Sequence, residues 1–491
     1  MKQLNGLDNL YLSLEHGNQH VHISGLDIYD PSSAPGGAVR FKGILSFLAA
    51  RAARNPLLRR RLVEVPMGLD RPYWVEDAEI DLEYHVRHIA LPHPSDWRQL
   101  CIQVARIHAR PLDFSKPLWE AYVIEGLDNI PGLPKGSFAL LTKVHHAAVE
   151  GEAGAELLKA LHLLSPQGES DAASQPVIVA DREPTAVELL ARSVSGRTRR
   201  AIDGTRLAAK LSLQLLRQVT LSKPSPGGSR WRDMLPGAGA RTRFARPLSP
   251  HRVVDAIDIP LDRIKAIRQR MPHITTKDIC VAIVAGALLR YLGDHDELPQ
   301  QPLHALVPAA LRGGAGDVDS RLYLHTGLMV ASMATDVGDP LARLQAIHDS
   351  ANQQRARADA LDAGAWQLLF DVLPTPVATR VMRLAAPILA NAMVSYVRGP
   401  EMPLYMAGAR LVRHVPIAVP YDNLGLSVCA FGYDGTLTMG FVSCRSMLPD
   451  PAQLAQALRE SFDEIEGAVR NSAAGAGSPA VAPVAALRRV A

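Results

Sequence analysis

Apolar residues recur at helical spacing at Ile44, Phe47, Leu48 and Ala52, and again at Leu157, Leu158, Leu161 and Leu164, which predicts two amphipathic helices. Between them the period shortens to two. Phe138, Leu140, Thr142 and Val144 alternate along one expected strand, and Trp119 to Ile124 form another run of strand formers. In the second half, Thr275-Thr276-Lys277-Asp278 has capping-box spacing, and Ile279 to Leu289 is apolar on nearly all sides, the pattern of a buried helix. Leu424 to Phe431 and Leu437 to Val442 read as strands joined across Tyr433-Asp434-Gly435-Thr436. A last helix is expected from Asp450-Pro451, with its stripe at Leu454, Leu458, Phe462, Ile465 and Val469.

These elements divide the chain. Residues 1–168 form an N-terminal α/β domain, and Ser165-Pro166-Gln167-Gly168-Glu169-Ser170 opens a polar linker. Residues 169–240 are the linker with basic amphipathic helices, 241–470 a second α/β domain, and 471–491 a small-residue tail expected to be disordered. No periodic repeat is evident, although two α/β regions in tandem could share a fold.

Composition narrows the class. The 491 residues are 47% hydrophobic and 21% charged, which excludes wholesale disorder and fibrous repeats. A net charge of +4 is too small for a dedicated nucleic-acid binder. Cys101, Cys280, Cys429 and Cys444 lie far apart with no C-x-x-C pair, arguing for a reducing compartment and against a disulfide framework or zinc module. The first residues carry no apolar signal region, and no stretch reaches the ~18 apolar residues of a membrane span, so a cytoplasmic location is expected. The charge is unevenly placed. Residues 192–232 hold ten basic residues against one acid, Asp203, interleaved with Ile202, Leu207, Leu211, Leu215, Leu216 and Val219. Two readings stand: helices lying in an anionic membrane interface, or a helix pair covering the domain junction with a solvated basic face.

The most informative local chemistry is Lys143-Val144-His145-His146-Ala147-Ala148-Val149-Glu150-Gly151. Two histidines end a predicted strand and a carboxylate follows four residues later. A neutral imidazole held on a strand end is a natural general base, and the two alanines would crowd a substrate little. The bland reading is a pair of satisfied polar groups. No third ligand at metal spacing is present and H-E-x-x-H is absent, so no metal is expected. His20 with His22, on a strand, and His85 with His88, near one helical turn apart, are weaker pairs in a chain of seventeen histidines. Signatures of serine hydrolases, phosphate loops and dinucleotide folds are missing.

Taken together, the motifs resemble the bacterial wax ester synthase/diacylglycerol acyltransferase family, within the CoA-dependent acyltransferases marked by H-H-x-x-x-D-G. Leu4-Asn5-Gly6-Leu7-Asp8 looks like the family's opening L-S-x-x-D, and Pro117, Leu118, Trp119 and Gly126 fit P-L-W-x-x-x-x-x-x-G. Asn55-Pro56, Arg59 to Leu62, Pro72 to Val75 and Pro247 to Arg252 fall in further family segments. Asp278 sits in the family's Asn-Asp pair, and Ser395 to Pro400 where it has S-N-V-P-G-P.

The resemblance implies mixed-sheet α/β architecture: two chloramphenicol-acetyltransferase-like domains in tandem around a central substrate channel. It implies transfer of a long-chain acyl group from acyl-CoA, a co-substrate, to diacylglycerol or a long-chain alcohol, with no cofactor. His146 would be the base and His145 its support, with Glu150, Gly151 and Asp278 supporting the motif and Trp119 packing beside the catalytic strand. The basic segment 192–232 would contact an anionic membrane or lipid droplet. Glu150 for Asp, Lys277 for Asn, and Tyr396 and Arg398 for Asn and Pro depart from the family pattern. They keep a second reading open, a lipid-binding or droplet-associated homologue with weak or lost catalysis. A peptide-condensation-type acyltransferase, which shares the His-His motif, is a third.

Overall fold

The computed structural model describes residues 1–77, 80–149, 158–167, 181–196, 198, 200, 202, 204–205, 240–310, 326–360 and 371–472. Glu150 and Gly151, the start of the helix expected at Leu157, the first part of the linker, most of the basic segment 192–232 and the tail beyond 472 lie outside them.

Two six-stranded mixed sheets form the frame. The first runs β12 (Tyr405–Met406), β13 (Ala409–Ile417), β2 (His22–Asp30), β7 (Phe138–His145), β6 (Trp119–Glu125) and β5 (Val86–Ala90). The second runs β10 (Thr326–Ser332), β9 (His304–Ala310), β11 (Ala392–Arg398), β14 (Ser427–Tyr433), β15 (Thr436–Cys444) and β8 (Arg252–Pro260). Pairing is parallel between β5 and β6 and on both sides of β11, and antiparallel elsewhere in the two sheets. A small sheet of β1 (Lys2–Gln3), β4 (Tyr73–Glu76) and β3 (Arg60–Val63) sits beside the first.

The expected strands are present, with the hairpin between β14 and β15, and so are helices Phe41–Arg54, Thr276–Gly293 and Pro451–Ser472. Of the helix expected at Leu157 to Leu164, only residues 158–161 are helical among the described residues, and Leu164 is exposed. Thr275 and Asp278 form the complete capping box of helix Thr276–Gly293. That helix is apolar all round because it fills the core of the second half, with Ile279 to Leu288 buried among Ile257, Val394, Leu458 and Phe462. Both weaker histidine pairs differ from expectation: His20 precedes β2, which begins at His22. His85 ends a short helix and His88 lies in β5, so they are not one helical turn apart.

All eight residues of β7 are buried, since the strand is covered on both faces. Its two-residue period divides between two cores. Phe138, Leu140 and Val144 pack with Ile44 and Leu48 of helix Phe41–Arg54. Ala139 and Leu141 pack with Leu100 and Val104 of helix Trp97–His108.

The halves interlock. Residues Tyr405–Ile417, within the stretch expected as the second domain, supply two strands to the first sheet. Residue-order reasoning had no local signal for this crossover, because β13 alternates like any half-buried strand. Leu26, Ile28 and Leu141 of the first sheet share a core with Val254, Ala256 and Val442 of the second. Trp97 Nε1 donates to Asp255 Oδ1 across that junction at 2.7 Å. At Gly440 on β15, a Cβ would stand 2.0 Å from the Pro416 carbonyl oxygen of β13, so only hydrogen fits where the two sheets touch.

Candidate active site

His145 is the last residue of β7 and His146 begins a single 3-10 turn, His146–Ala148. The strand end is fixed from both sides: His145 N–H donates to the Leu118 carbonyl at 3.0 Å and His146 N–H to the Val21 carbonyl at 2.8 Å. Two imidazoles are thus placed by main-chain bonds on a buried central strand.

The side chain of His145 is fully buried. Its Nδ1 accepts the Ala147 N–H at 3.1 Å, which leaves the ring proton of the neutral form on Nε2. That nitrogen lies 3.2 Å from Glu15 Oε1, close but without hydrogen-bond alignment. Glu15 follows helix Gly6–Leu14 and is itself held by the Val21 N–H at 2.7 Å. Phe114 meets the His145 ring edge-on at 5.6 Å.

His146 is half-buried, and its Nδ1 is buried without an aligned partner. Desolvation, then the neighbouring His145, push its pKa down to about 4, while its own carbonyl acts in the opposite sense. The imidazole is therefore neutral across physiological pH. The Tyr11 ring lies 4.2 Å from the His146 ring, tilted by 34°, so helix Gly6–Leu14 forms a wall of the site. Burial raises the Tyr11 phenol, keeping it neutral.

The other sequence candidates fall into three groups. Pro117 and Leu118 lead into β6, which Trp119 begins, next to the histidines. Trp119 pairs with Val144, its Nε1 donates to the Leu58 carbonyl at 2.7 Å, and its ring stacks on His85 at 4.6 Å. Gly126 ends that strand with φ of 85°, a left-handed turn that a Cβ would strain. Asp278 is remote in sequence and does more than cap. Its Oδ2 accepts from Thr275 N at 2.9 Å and from Thr275 Oγ1 at 2.8 Å, and lies 2.9 Å from His348 Nδ1. Nothing among its described contacts joins it to His145 or His146. Glu150 and Gly151 lie outside the described residues.

Of the departures, Lys277 Nζ donates to the Pro308 carbonyl at 2.8 Å, and Arg398 pairs with Glu401 on the surface. The Tyr396 phenol is raised by burial and hydrogen-bonds with the Thr276 side chain. Among the described residues no cluster of His, Cys, Asp or Glu could hold a metal ion, and the four cysteines are buried and free. Sequence reasoning missed Glu15, Tyr11 and His348. Glu15 lies about 130 positions before its partner, and only the folded β2–β7 pairing, in which His22 stands opposite His145, brings it close.

A cavity of about 1060 Å³ lies on the other side of helix Gly6–Leu14. Asn9 and Ser13 line it, two positions either side of Tyr11 and so on the opposite helical face. Its walls carry Arg71, Arg200, Arg380 and Arg383 together with Glu64, Asp70 and Asp371. Asp371 pairs with Arg71 at 2.8 Å and Asp70 with Arg200.

Two interlocked mixed sheets with a neutral imidazole at a central strand end have the architecture of CoA-dependent acyltransferases. The family model described as the wax ester synthase/diacylglycerol acyltransferase catalytic domain matches residues 4–273, and that of the WS/DGAT C-terminal domain matches 325–466. The chain belongs to this family of O-acyltransferases. O-acyltransferase WSD of Acinetobacter baylyi is 28% identical over 475 residues, covering 96% of this chain and 98% of that one. The solved wax ester synthase/diacylglycerol acyltransferase of Marinobacter aquaeolei is 25% identical, with a TM-score of 0.67 over 96% of this chain and 100% of that one. The first condensation domain of the calcium-dependent antibiotic synthetase superposes with a TM-score of 0.57 over 98% of this chain and 100% of that one. At 14% identity that likeness is of fold alone.

Proposed function

We propose that the protein transfers a long-chain acyl group from acyl-CoA to the hydroxyl of diacylglycerol or a long-chain alcohol, with His146 as general base. The observation that carries this reading is the neutral His146 ring, half-buried at the end of β7 with its Nδ1 turned inward. A proton on the buried Nδ1 leaves Nε2 as the acceptor. Nε2 takes the hydroxyl proton as the oxygen attacks the thioester carbonyl. The tetrahedral oxyanion collapses, the carbon–sulfur bond breaks, and the CoA thiolate leaves with the proton returned by His146. No covalent acyl-enzyme is needed, in keeping with four buried cysteines whose own thiols are not presented to a substrate.

His145, the neighbour whose ring is held by Ala147 N–H and faced by Glu15, orients the strand end and stays out of the proton transfer. Acyl-CoA is a co-substrate, and the chemistry calls for no further cofactor. Placed in the cytoplasm, the protein would draw its acceptor from an anionic membrane or lipid body through the basic segment 192–232.

The test is CoA release from palmitoyl-CoA with hexadecanol and, separately, with diacylglycerol, for wild type and His146→Ala. Turnover with one of these that falls by ~10²–10⁴ in the variant supports the reading. No turnover with any alcohol, or turnover indifferent to His146, rejects it in favour of a lipid-binding homologue.

A further inference from the structure

Helix Thr375–Leu389 is apolar on two faces. Ala378 is buried and Met382 packs with it against Leu10 and Leu14 of helix Gly6–Leu14, which accounts for the inner face. The outer face carries Val377, Val381 and Leu384 at i, i+4 and i+7, and these are 46%, 54% and 69% exposed. Large aliphatic side chains at that spacing make a continuous stripe along the solvent side, not a scatter of single exposures. Arg380 borders the stripe and Arg383 lies behind it, both exposed, and the helix contains no acid.

Two other segments that carry exposed aliphatic residues contribute to the cavity beside this helix. Met67, 82% exposed, precedes Gly68 and Leu69, which share the arginine-lined cavity with Thr375, Pro376 and Arg380. Ile202, 50% exposed, lies between Arg200 and Gly204, which line it too. Gly204 approaches Val372 so closely that a Cβ there would stand 2.9 Å from its side chain. Exposed aliphatic groups on three separate segments therefore neighbour, along the chain, the residues of one cavity whose walls carry four arginines and three acids.

We propose that this face, led by helix Thr375–Leu389, docks the protein on an anionic lipid bilayer. Among the described residues no helix is long and apolar enough to cross a membrane, so the helix lies in the interface with its stripe among the acyl chains and Arg380 at the phosphate level, while Arg383 donates to the Ser13 carbonyl at 3.1 Å. The inner face of the same helix packs on the helix that carries Tyr11 against His146, so the docked surface is one helix away from the reacting imidazole. The inference rests on the acyl-transfer reading for its purpose, and it adds residues 375–389 to the contact proposed for residues 192–232.

The experiment is co-flotation of the full chain with phosphatidylcholine vesicles, with and without phosphatidylglycerol, at low and high salt. The wild type is expected to float with the anionic vesicles. Val377→Ser/Val381→Ser/Leu384→Ser should weaken that partitioning by at least about tenfold, since three aliphatic groups no longer leave water. Arg380→Gln should reduce the preference for anionic over neutral vesicles, and Met402→Ser, an exposed apolar residue elsewhere, should change nothing. CoA release with detergent-dispersed hexadecanol should survive the triple substitution. Loss of flotation with activity intact supports docking through this helix, and flotation of an inactive wild type would sink the acyl-transfer reading while leaving the docking surface standing. A triple variant that floats like wild type overturns the proposal. So does a wild type that ignores anionic vesicles, or light scattering that shows the stripe joining two copies of the chain.

Discussion

Glu15 Oε1 stands 3.2 Å from His145 Nε2, on the far side of the ring from the Ala147 N–H that fixes its tautomer. The carboxylate thus faces the Nε2 edge of a buried imidazole and favours that orientation over a flipped one. A ring turned over would set Cε1–H against the carboxylate and Cδ2–H against Ala147 N–H, leaving both without a nitrogen partner. Glu15→Gln keeps an acceptor for Val21 N–H but removes the charge. It should lower kcat by about tenfold with little change in KM, because it disturbs the residue next to the base while leaving the base in place. Steady-state kinetics with palmitoyl-CoA decide this, and an unchanged kcat would make Glu15 a turn-forming residue only.

With His146 as the proposed base, its low affinity for protons sets the expected pH dependence. Its pKa lies near 4, below the usual 6.5, because burial and His145 disfavour the imidazolium. The base form is therefore present at all pH above that value and is lost as pH falls through it. In kcat/KM, which reports the free enzyme, no inflection is expected between about pH 5.5 and 7.5. An acid limb centred near 6.5 would mean that the base sits in a more solvated setting than this one.

Buried histidines also fix the response of stability to acid. His108 is lowered to about 3 and His146 to about 4, and His22 is held well below 6.5, each mainly by desolvation. Between those values and 6.5 the unfolded chain binds protons that the folded chain refuses, so stability must fall as pH drops below 6.5. The loss per group is about 1.4 kcal/mol per pH unit, on the order of several kcal/mol in total by pH 5.5. Urea unfolding at pH 7.5 and 5.5 measures it. His108→Gln, which removes one such group, should make the decline shallower.

Most of the regular structure was legible in the chain because its signals are local. The capping box at Thr275 and Asp278, the two-residue period of β7 and the stripe from Leu454 to Val469 each occupy a few consecutive positions. His145 and His146 were legible for the same reason. What the sequence hid is carried by long separations. β13 resembles any strand, and its place beside β2 depends on packing that no neighbour announces. Glu15 and Tyr11 look like the end of an ordinary amphipathic helix until that helix is laid against the strand end. Asp278 is the middle case. Its cap was readable, whereas its contact with His348, seventy residues on, was not.

That contact makes a separable prediction. Asp278 Oδ2 takes both the Thr275 hydroxyl and His348 Nδ1, while His348 Nε2 lies 2.8 Å from Asn352 Nδ2. Asp278→Ala removes the cap and strands the histidine, for a loss of ~2 kcal/mol. Thr275→Ala removes only the cap and should cost ~1 kcal/mol. If Asp278 serves structure alone, both variants should keep kcat at temperatures where they are folded. A fall in kcat confined to Asp278→Ala would bring the Asp278–His348 pair into the reaction.

Gly440 marks where the two sheets touch, and the Pro416 carbonyl leaves room there for hydrogen alone. A methyl group at that position meets backbone on a strand hydrogen-bonded into the first sheet, so relief requires moving a strand instead of turning a side chain. Overpacking of this kind costs about 1–3 kcal/mol, and a rigid backbone neighbour places Gly440→Ala at the upper end. Val415 and Val442 flank the contact and belong to the core shared by both halves, so the displacement should loosen the junction before it melts either sheet. The expected result is a lower urea midpoint, with faster amide exchange along β13 and β15 and helix Thr276–Gly293 less affected. Uniform loss of protection throughout the chain would instead show that the two halves unfold as one unit.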